Sequence, residues 1–266
     1  TIPISVTSIG DNAFWGSGLT SVSIPVSITS IGVNPFRDCS VLSHINVENG
    51  NSKYDSRDDC NAVIETENNT LLIGCKNTII PNSVTTIGDY AFYGCTGLTT
   101  LLIPNSVEKL GAFSFRDCTG LETISFPNSL NEITTVTFME CPNIKTIISH
   151  IQAPSTVKYI KYSWTATGQP IELFEYVDID NCTLYIPKGT IDEYQSNANW
   201  NMFLNVLELE DGDVNGDGTV TAADITALYD YMLNSDTTNL VNGDQNDDGE
   251  ITAADVTAVY GILLGN

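Results

Sequence analysis

Three adjacent segments decide the architecture: NSVTTIGDYAFYGCTGLTTLLIP (residues 82–104), NSVEKLGAFSFRDCTGLETISFP (105–127) and NSLNEITTVTFMECPNIKTIISH (128–150) align without a gap at a period of 23. A fixed period of this length marks a repeat architecture and takes precedence over local propensity. Residues 26–48 fit the same template and residues 4–25 fit it with one deletion, so five repeats are readable. Apolar residues recur at fixed phases, with Ile9, Ile31, Ile87, Leu110 and Ile133 in one column and Phe14, Phe36, Phe92, Phe115 and Phe138 in another. Each unit ends in a short alternating strand, in which Leu98, Leu101 and Ile103 face inward while Thr100 and Leu102 point the other way. A 23-residue unit cannot enclose its own apolar face. Neighbours must therefore stack, with strands about 4.8 Å apart, into a continuous parallel sheet on a curved solenoid.

The seven cysteines include no CxxC pair and are odd in number, which supports neither a zinc site nor a complete disulfide framework. Cys39, Cys95, Cys118 and Cys141 fall in one repeat column, with Ser17 at the same phase, and read as buried, reduced ladder residues. Cys60 and Cys75 lie apart, in the insert YDSRDDCNAVIETENNTLLIGCKN (54–77), where two apolar strands flank a Glu-Asn-Asn turn. Pairing of Glu65 with Thr70 places Cys60 opposite Cys75, compatible with a disulfide without requiring one. Toward the end of the array, Tyr194, Trp200 and Phe203 read as a cap over the last rung, since a bare solenoid end leaves an apolar face and an unpaired strand edge.

With 266 residues, 42% of them apolar, the chain has room for a sizeable core in one domain or two. It has no run of 18 apolar residues, and TIPISV lacks the build of a signal peptide; the expectation is a mature fragment, without membrane insertion, whose array continues upstream. The net charge is −23, and from Glu208 onward there are 13 acidic residues and no Lys or Arg. Such a segment repels nucleic acid and anionic lipid and attracts divalent cations. Two histidines, His44 and His150, sit in no nucleophile-elbow, HExxH or phosphate-loop pattern. A glycosidase needs two carboxylates at a set separation, which sequence alone does not exclude; the solenoid acids mostly fall in loops, where a solvated charge explains them better.

The acidic end is itself duplicated. DVNGDGTVTAADITALYDYML (213–233) and DQNDDGEITAADVTAVYGILL (244–264) are related by a 31-residue shift and are identical at 12 of 21 positions. Each opens D-x-N-x-D-G, the spacing that wraps oxygen ligands round a calcium ion, with glycine at position 6, a carbonyl at 7 and a carboxylate at 12. The first loop offers Asp213, Asn215, Asp217, Thr219 and Asp224, with Gly218 at the turn; the second offers Asp244, Asn246, Asp248, Glu250 and Asp255, with Gly249. Hard oxygens without His or Cys favour calcium, two ions in all, and mutually repelling carboxylates tie the metal to folding. Aspartate at position 12, in place of the usual glutamate, draws the following helix closer to its loop.

These residues carry two resemblances. Over roughly 1–207 the units IPxSVTxIGxxAFxxCxxLxxxxIP, the insert and the closing CTLYIPKGTIDEYQSNANWNMFLNVLEL resemble the BspA-type leucine-rich repeats of bacterial surface proteins; over about 211–265 the twin units resemble a type I dockerin. The implied fold is an α+β multidomain chain. A leucine-rich-repeat solenoid occupies 1–207, with an insert at about 49–80 and a cap at about 182–207, and a small all-α calcium-binding dockerin domain of two loop-helix units occupies 208–266. The first resemblance implies a secreted or cell-surface binding role, the second a cohesin-like partner in an extracellular assembly. The dockerin recognition positions fall on Ala222, Ala223 and Tyr229 and on Ala253, Ala254 and Tyr260, where many cellulosomal relatives carry Ser or Thr in place of the paired alanines. Near-identical halves imply that either helix can face the partner after a half-turn. The outward strand column, with His44, Asn46, Thr100, Leu102, Thr123 and Ser125, is the candidate face for a protein or glycan ligand. The leading expectation is thus a non-catalytic extracellular binding protein; the alternatives are a host-matrix adhesin whose last module is only structural, an accessory of polysaccharide catabolism with glycosidase activity, and a spacer.

Overall fold

The computed structural model of the chain describes residues 2–162, 171–216, 219–234, 240–246 and 250–265. The repeats coil into a solenoid of about eight turns, followed by a small helical module. A typical repeat contributes a short and a longer strand, each stacked on its counterpart in the adjacent coil. The longer strands Thr100–Leu102, Thr123–Phe126, Thr146–Ser149, Thr183–Pro187 and Asn205–Leu209 form one parallel sheet, with Thr123 opposite Thr100 and Ile124 opposite Leu101. The short strands Thr86–Ile87, Lys109–Leu110, Glu132–Thr134 and Lys158–Ile160 form the parallel wall on another side of the coil.

The phase columns are physical ladders. Phe14 stacks on Phe36 at 5.1 Å, Phe92 on Phe115 at 5.1 Å and Phe115 on Phe138 at 5.4 Å, all nearly parallel, so each ring hides a face of its neighbour. The thiols of Cys39, Cys118 and Cys141 donate to the carbonyl oxygens of Phe14, Phe92 and Phe115 on the preceding rung, at 3.0–3.1 Å. The cysteine column therefore both fills space and satisfies buried backbone acceptors. All seven cysteines are free. A further column alternates aromatic and cationic residues: the Arg37 guanidinium lies 5.2 Å from the Trp15 ring and 4.2 Å from Tyr93, and Arg116 lies 5.4 Å from Tyr93.

The expected continuous sheet is interrupted at the insert. Strand His44–Val47 pairs only with Ser21–Ile24, and the antiparallel strands Tyr54–Asp55, Val63–Glu65 and Thr70–Ile73 are spliced in before Thr70–Ile73 joins Thr86–Ile87 in parallel. The hairpin is a wall wetted on neither side. Cys60, Ala62, Ile64 and Leu71 belong to the large core of the later rungs, whereas Tyr54, Val63, Ile73 and Cys75 belong to the core of the first two. Glu65 does pair with Thr70, but the register slips between Val63 and Ile64, which takes Cys75 out of line with Cys60 and leaves the two thiols in different cores. Tyr194, on the short helix α1 (Ile191–Ser196), Trp200 and Phe203 are buried on the last rung, where the Trp200 indole N–H donates to the Tyr159 hydroxyl at 2.6 Å.

Beyond the last strand, helices α2 (Ala222–Asn234) and α3 (Ala253–Leu263) close a separate core of Val214, Ile225, Leu228, Leu240, Val256 and Val259. The two halves are also tied by backbone: the Val214 carbonyl accepts from Val241 and Asn242, and the Gly212 N–H donates to the Gln245 side chain at 2.6 Å.

Candidate metal loops and interaction surfaces

Each loop is closed by the carboxylate at its twelfth position, which is also the third residue of the helix that follows. Asp224 is fully buried; one of its oxygens accepts the N–H of Val214 at 2.8 Å and of Asn215 at 3.1 Å, and the other that of Thr221 at 2.7 Å. Asp255 repeats this geometry, taking Gln245 N–H at 2.8 Å and Thr252 N–H at 2.7 Å. Thr252 in turn accepts from the Ala254 N–H at 3.1 Å, which completes a capping box, and Thr221 does the same for Ala223. The Thr-x-x-Asp signal for this box stands in both halves of the sequence; reading the aspartate only as a ligand position hid it.

The surroundings fit a hard divalent cation. Asp213, Asp224 and Asp255 are at most 6% exposed, in a segment with no Lys, Arg, His or Cys after Glu208. A buried carboxylate needs hydrogen bonds or a compensating charge; Asp224 and Asp255 take backbone N–H bonds, and the side chains at the loops' ligand positions offer oxygen, the donor that calcium prefers. Among the described residues no three His, Cys, Asp or Glu side chains converge; Asp217, Gly218, Asp248 and Gly249 lie outside the described residues. Asn215 and Asp244 are half-buried, and Thr219, Asn246 and Glu250 lie at the surface.

The helix positions singled out by sequence all reach solvent. Ala222, Ala223, Ala253 and Ala254 are exposed, Tyr229 is 44% exposed and Tyr260 47%. Ala222 and Tyr229, like Ala253 and Tyr260, are seven residues apart and share one helix face.

The outward solenoid column does not stay open. His44 and Asn46 are exposed, with the Ser43 hydroxyl 2.9 Å from His44 Nδ1; Thr100, Leu102 and Thr123 are half-buried, and Ser125 is buried. Alternation along a strand predicted exposure for all of them, but the helical module lies over the later rungs. Leu102 packs against the module's core, and Thr100, Leu102 and Ser125 line a cleft of about 1480 Å³ shared with Tyr231 and Leu240 of the module. Strand period reports which face a side chain takes, not what a distant segment later places on that face.

Comparison with known proteins places both halves. The family model of the BspA type leucine rich repeat region matches in six copies, over residues 1–59 and 73–176, and that of the dockerin type I domain matches residues 211–264. Both families are non-catalytic binding modules. Among solved structures, a leucine-rich cell surface protein of Faecalibacterium prausnitzii A2-165 is 26% identical, with 63% of this chain covering 54% of that one at a TM-score of 0.42. The pneumococcal vaccine antigen PcpA is 18% identical over 77% of this chain and 60% of its own, TM-score 0.48; a leucine-rich-repeat protein of Bacteroides ovatus is 21% identical over 79% and 47%, TM-score 0.42. The chain thus spans between half and three-fifths of the first two solved structures. No curated protein matches it. Among the described residues no helix is long and apolar enough to cross a membrane.

Proposed function

Because the chain belongs to the BspA-type leucine-rich-repeat family and carries a dockerin type I module after its repeats, we propose that it is an extracellular, non-catalytic adaptor whose solenoid binds a protein or glycan while its last module plugs into a cohesin-like partner. The division falls at residues 207/208, and the assembly is one on a cell surface or one that degrades polysaccharide. The observation that carries this reading is accessibility. Both Ala-Ala-Tyr faces, on α2 and on α3, are open to solvent even though the module rests on the solenoid. Alanines let a partner's backbone approach closely, and an exposed tyrosine supplies a large amphipathic contact. Two equivalent faces suit docking in either of two orientations.

Two calcium ions are part of the proposal, held by Asp213, Asn215, Asp217, Thr219 and Asp224 in one loop and by Asp244, Asn246, Asp248, Glu250 and Asp255 in the other. Calcium supplies the positive charge that lets acidic loops close without a basic side chain. The chain's own contribution is orientation: Asp224 and Asp255 hold loop backbone and helix start together, so that each helix presents its Ala-Ala-Tyr face at a fixed angle to its loop. On the solenoid, His44 and Asn46 are the open part of the candidate ligand face, and Thr100, Leu102, Thr123 and Ser125 its covered part.

The test is calorimetric titration of the full chain with a panel of purified cohesin modules, in calcium and in chelator. Saturable binding in calcium that disappears in chelator is expected. Tyr229→Ala alone should weaken it little, because α3 remains, whereas Tyr229→Ala with Tyr260→Ala should cost tenfold or more, on the order of 1.4 kcal/mol. Heat changes absent with every module in both conditions would overturn the docking role.

A further inference from the structure

The first position of three consecutive repeats is an asparagine, at Asn82, Asn105 and Asn128. Two of these leave the solenoid and meet the second acidic loop. The Asn82 side-chain amide donates to Glu250 Oε1 at 3.1 Å, and the Asn105 amide donates to Asp244 Oδ2 at 3.4 Å. Asn128 stays within the solenoid and accepts the Gln152 N–H of the next coil at 3.0 Å. Beside the two amides, Leu102 packs into the edge of the module's core. The connecting strand is held as well, by an ion pair of Lys188 with Glu210 at 2.5 Å and by the Asn242 amide on the Glu210 carbonyl at 3.3 Å.

We infer that this stretch of the asparagine ladder, Asn82 and Asn105 with Leu102 beside them, is a docking site on the solenoid for the second acidic loop, and that seating the module there strengthens calcium binding in that loop. The inference rests on the calcium reading above. Its chemistry follows from the donors involved. A neutral amide can orient a carboxylate without adding a positive charge that would compete with a divalent ion, which a lysine in the same place would do. Asp244 and Glu250 are the first and seventh positions of the loop, so fixing both from outside pre-arranges its start and its middle, while Asp255 closes it from the helix. Pre-arranging a flexible acidic loop raises its affinity for the ion that must otherwise order it. Coupling of this kind is reciprocal: an ion in the second loop holds the module onto the rungs of Asn82 and Asn105, and its removal loosens the module from the solenoid.

The experiment uses the full chain and two variants, Asn82→Ala with Asn105→Ala, and Asn105→Asp, which sets a carboxylate against Asp244. Both asparagines are exposed on loops, so neither variant disturbs the core. Calcium alone is titrated by calorimetry, and amide hydrogen exchange is followed in calcium and in chelator. In the parent chain calcium should slow exchange in the second loop and also in the strand Thr100–Leu102. In the double alanine variant one of the two calcium affinities should fall about fivefold to thirtyfold, with the protection of residues 100–105 lost and that of α3 kept. Asn105→Asp should do the same or more. Calcium isotherms identical in all three chains, or rung protection that ignores calcium in the parent, would overturn the coupling while leaving calcium binding intact. A parent chain that binds no calcium would overturn the loop reading, and the coupling with it.

Discussion

At the scale of single residues, the cysteines carry the most information. A thiol is a weak donor, yet in three rungs it adds a second bond to a phenylalanine carbonyl that already accepts the backbone N–H three residues on. Ser17 at the same phase sits 3.2 Å from the Cys39 sulfur, in keeping with a position that needs a small group bearing a hydroxyl or thiol. Burial pushes thiols up, Cys118 and Cys141 of this ladder among them: desolvation raises Cys60 to about 11 and Cys141 and Cys182 to about 12, and it holds Cys118 well above its ordinary range. The unfolded chain releases thiol protons near pH 9 while the folded chain keeps them, so above that pH the folded state binds more protons and its stability falls as pH rises. Each such thiol should cost the solenoid about 1.4 kcal/mol per pH unit between roughly 9 and 11. Urea unfolding midpoints at pH 8, 9 and 10 check this, and a flat profile would mean that the thiols are not buried as described. The column and its burial were legible from the 23-residue period; the thiol-to-carbonyl bond was not, because its acceptor lies on another rung.

At the scale of elements, the phenylalanine ladder offers a contrast within one column. Phe115 is fully buried between Phe92 and Phe138, whereas Phe14 is half-buried and stacks on Phe36. Phe115→Ala should cost about 3–5 kcal/mol and Phe14→Ala less than half of that, read as shifts of the guanidinium midpoint. Equal costs would show that the ladder is not what bears the packing. The strands themselves were readable as repeats, but the insert was read only in outline. Its turn and the Glu65–Thr70 pair follow from sequence, while the slip between Val63 and Ile64 does not, because a bulge is decided by which of two cores claims each apolar side chain. Likewise the helix starts at Thr221 and Thr252 obey a local capping rule, and there the same aspartate serves both the helix and the loop.

At the scale of the whole molecule, two kinds of stability meet in one chain. The solenoid rests on a long apolar core, and the module on a small one with buried carboxylates. Scanning calorimetry should therefore give a module transition that moves down in chelator and a solenoid transition that stays nearly fixed; calcium at about a thousand times its dissociation constant is worth on the order of 4 kcal/mol to the module. A single transition indifferent to chelator would contradict separate folding units. The solenoid and the module were both visible in sequence, since repetition betrays each of them. The placement of the module across Leu102 was not, for it depends on how a linker of a few residues leaves the last strand.

The hairpin wall between the two cores has a mechanical consequence. A coil with one uninterrupted interior transmits a pull from rung to rung until the whole yields, whereas this one is partitioned like a ship with a bulkhead. Stretching along the coil would load the first two rungs, which carry the open His44 and Asn46, apart from the later ones, with the boundary at residues 63–73.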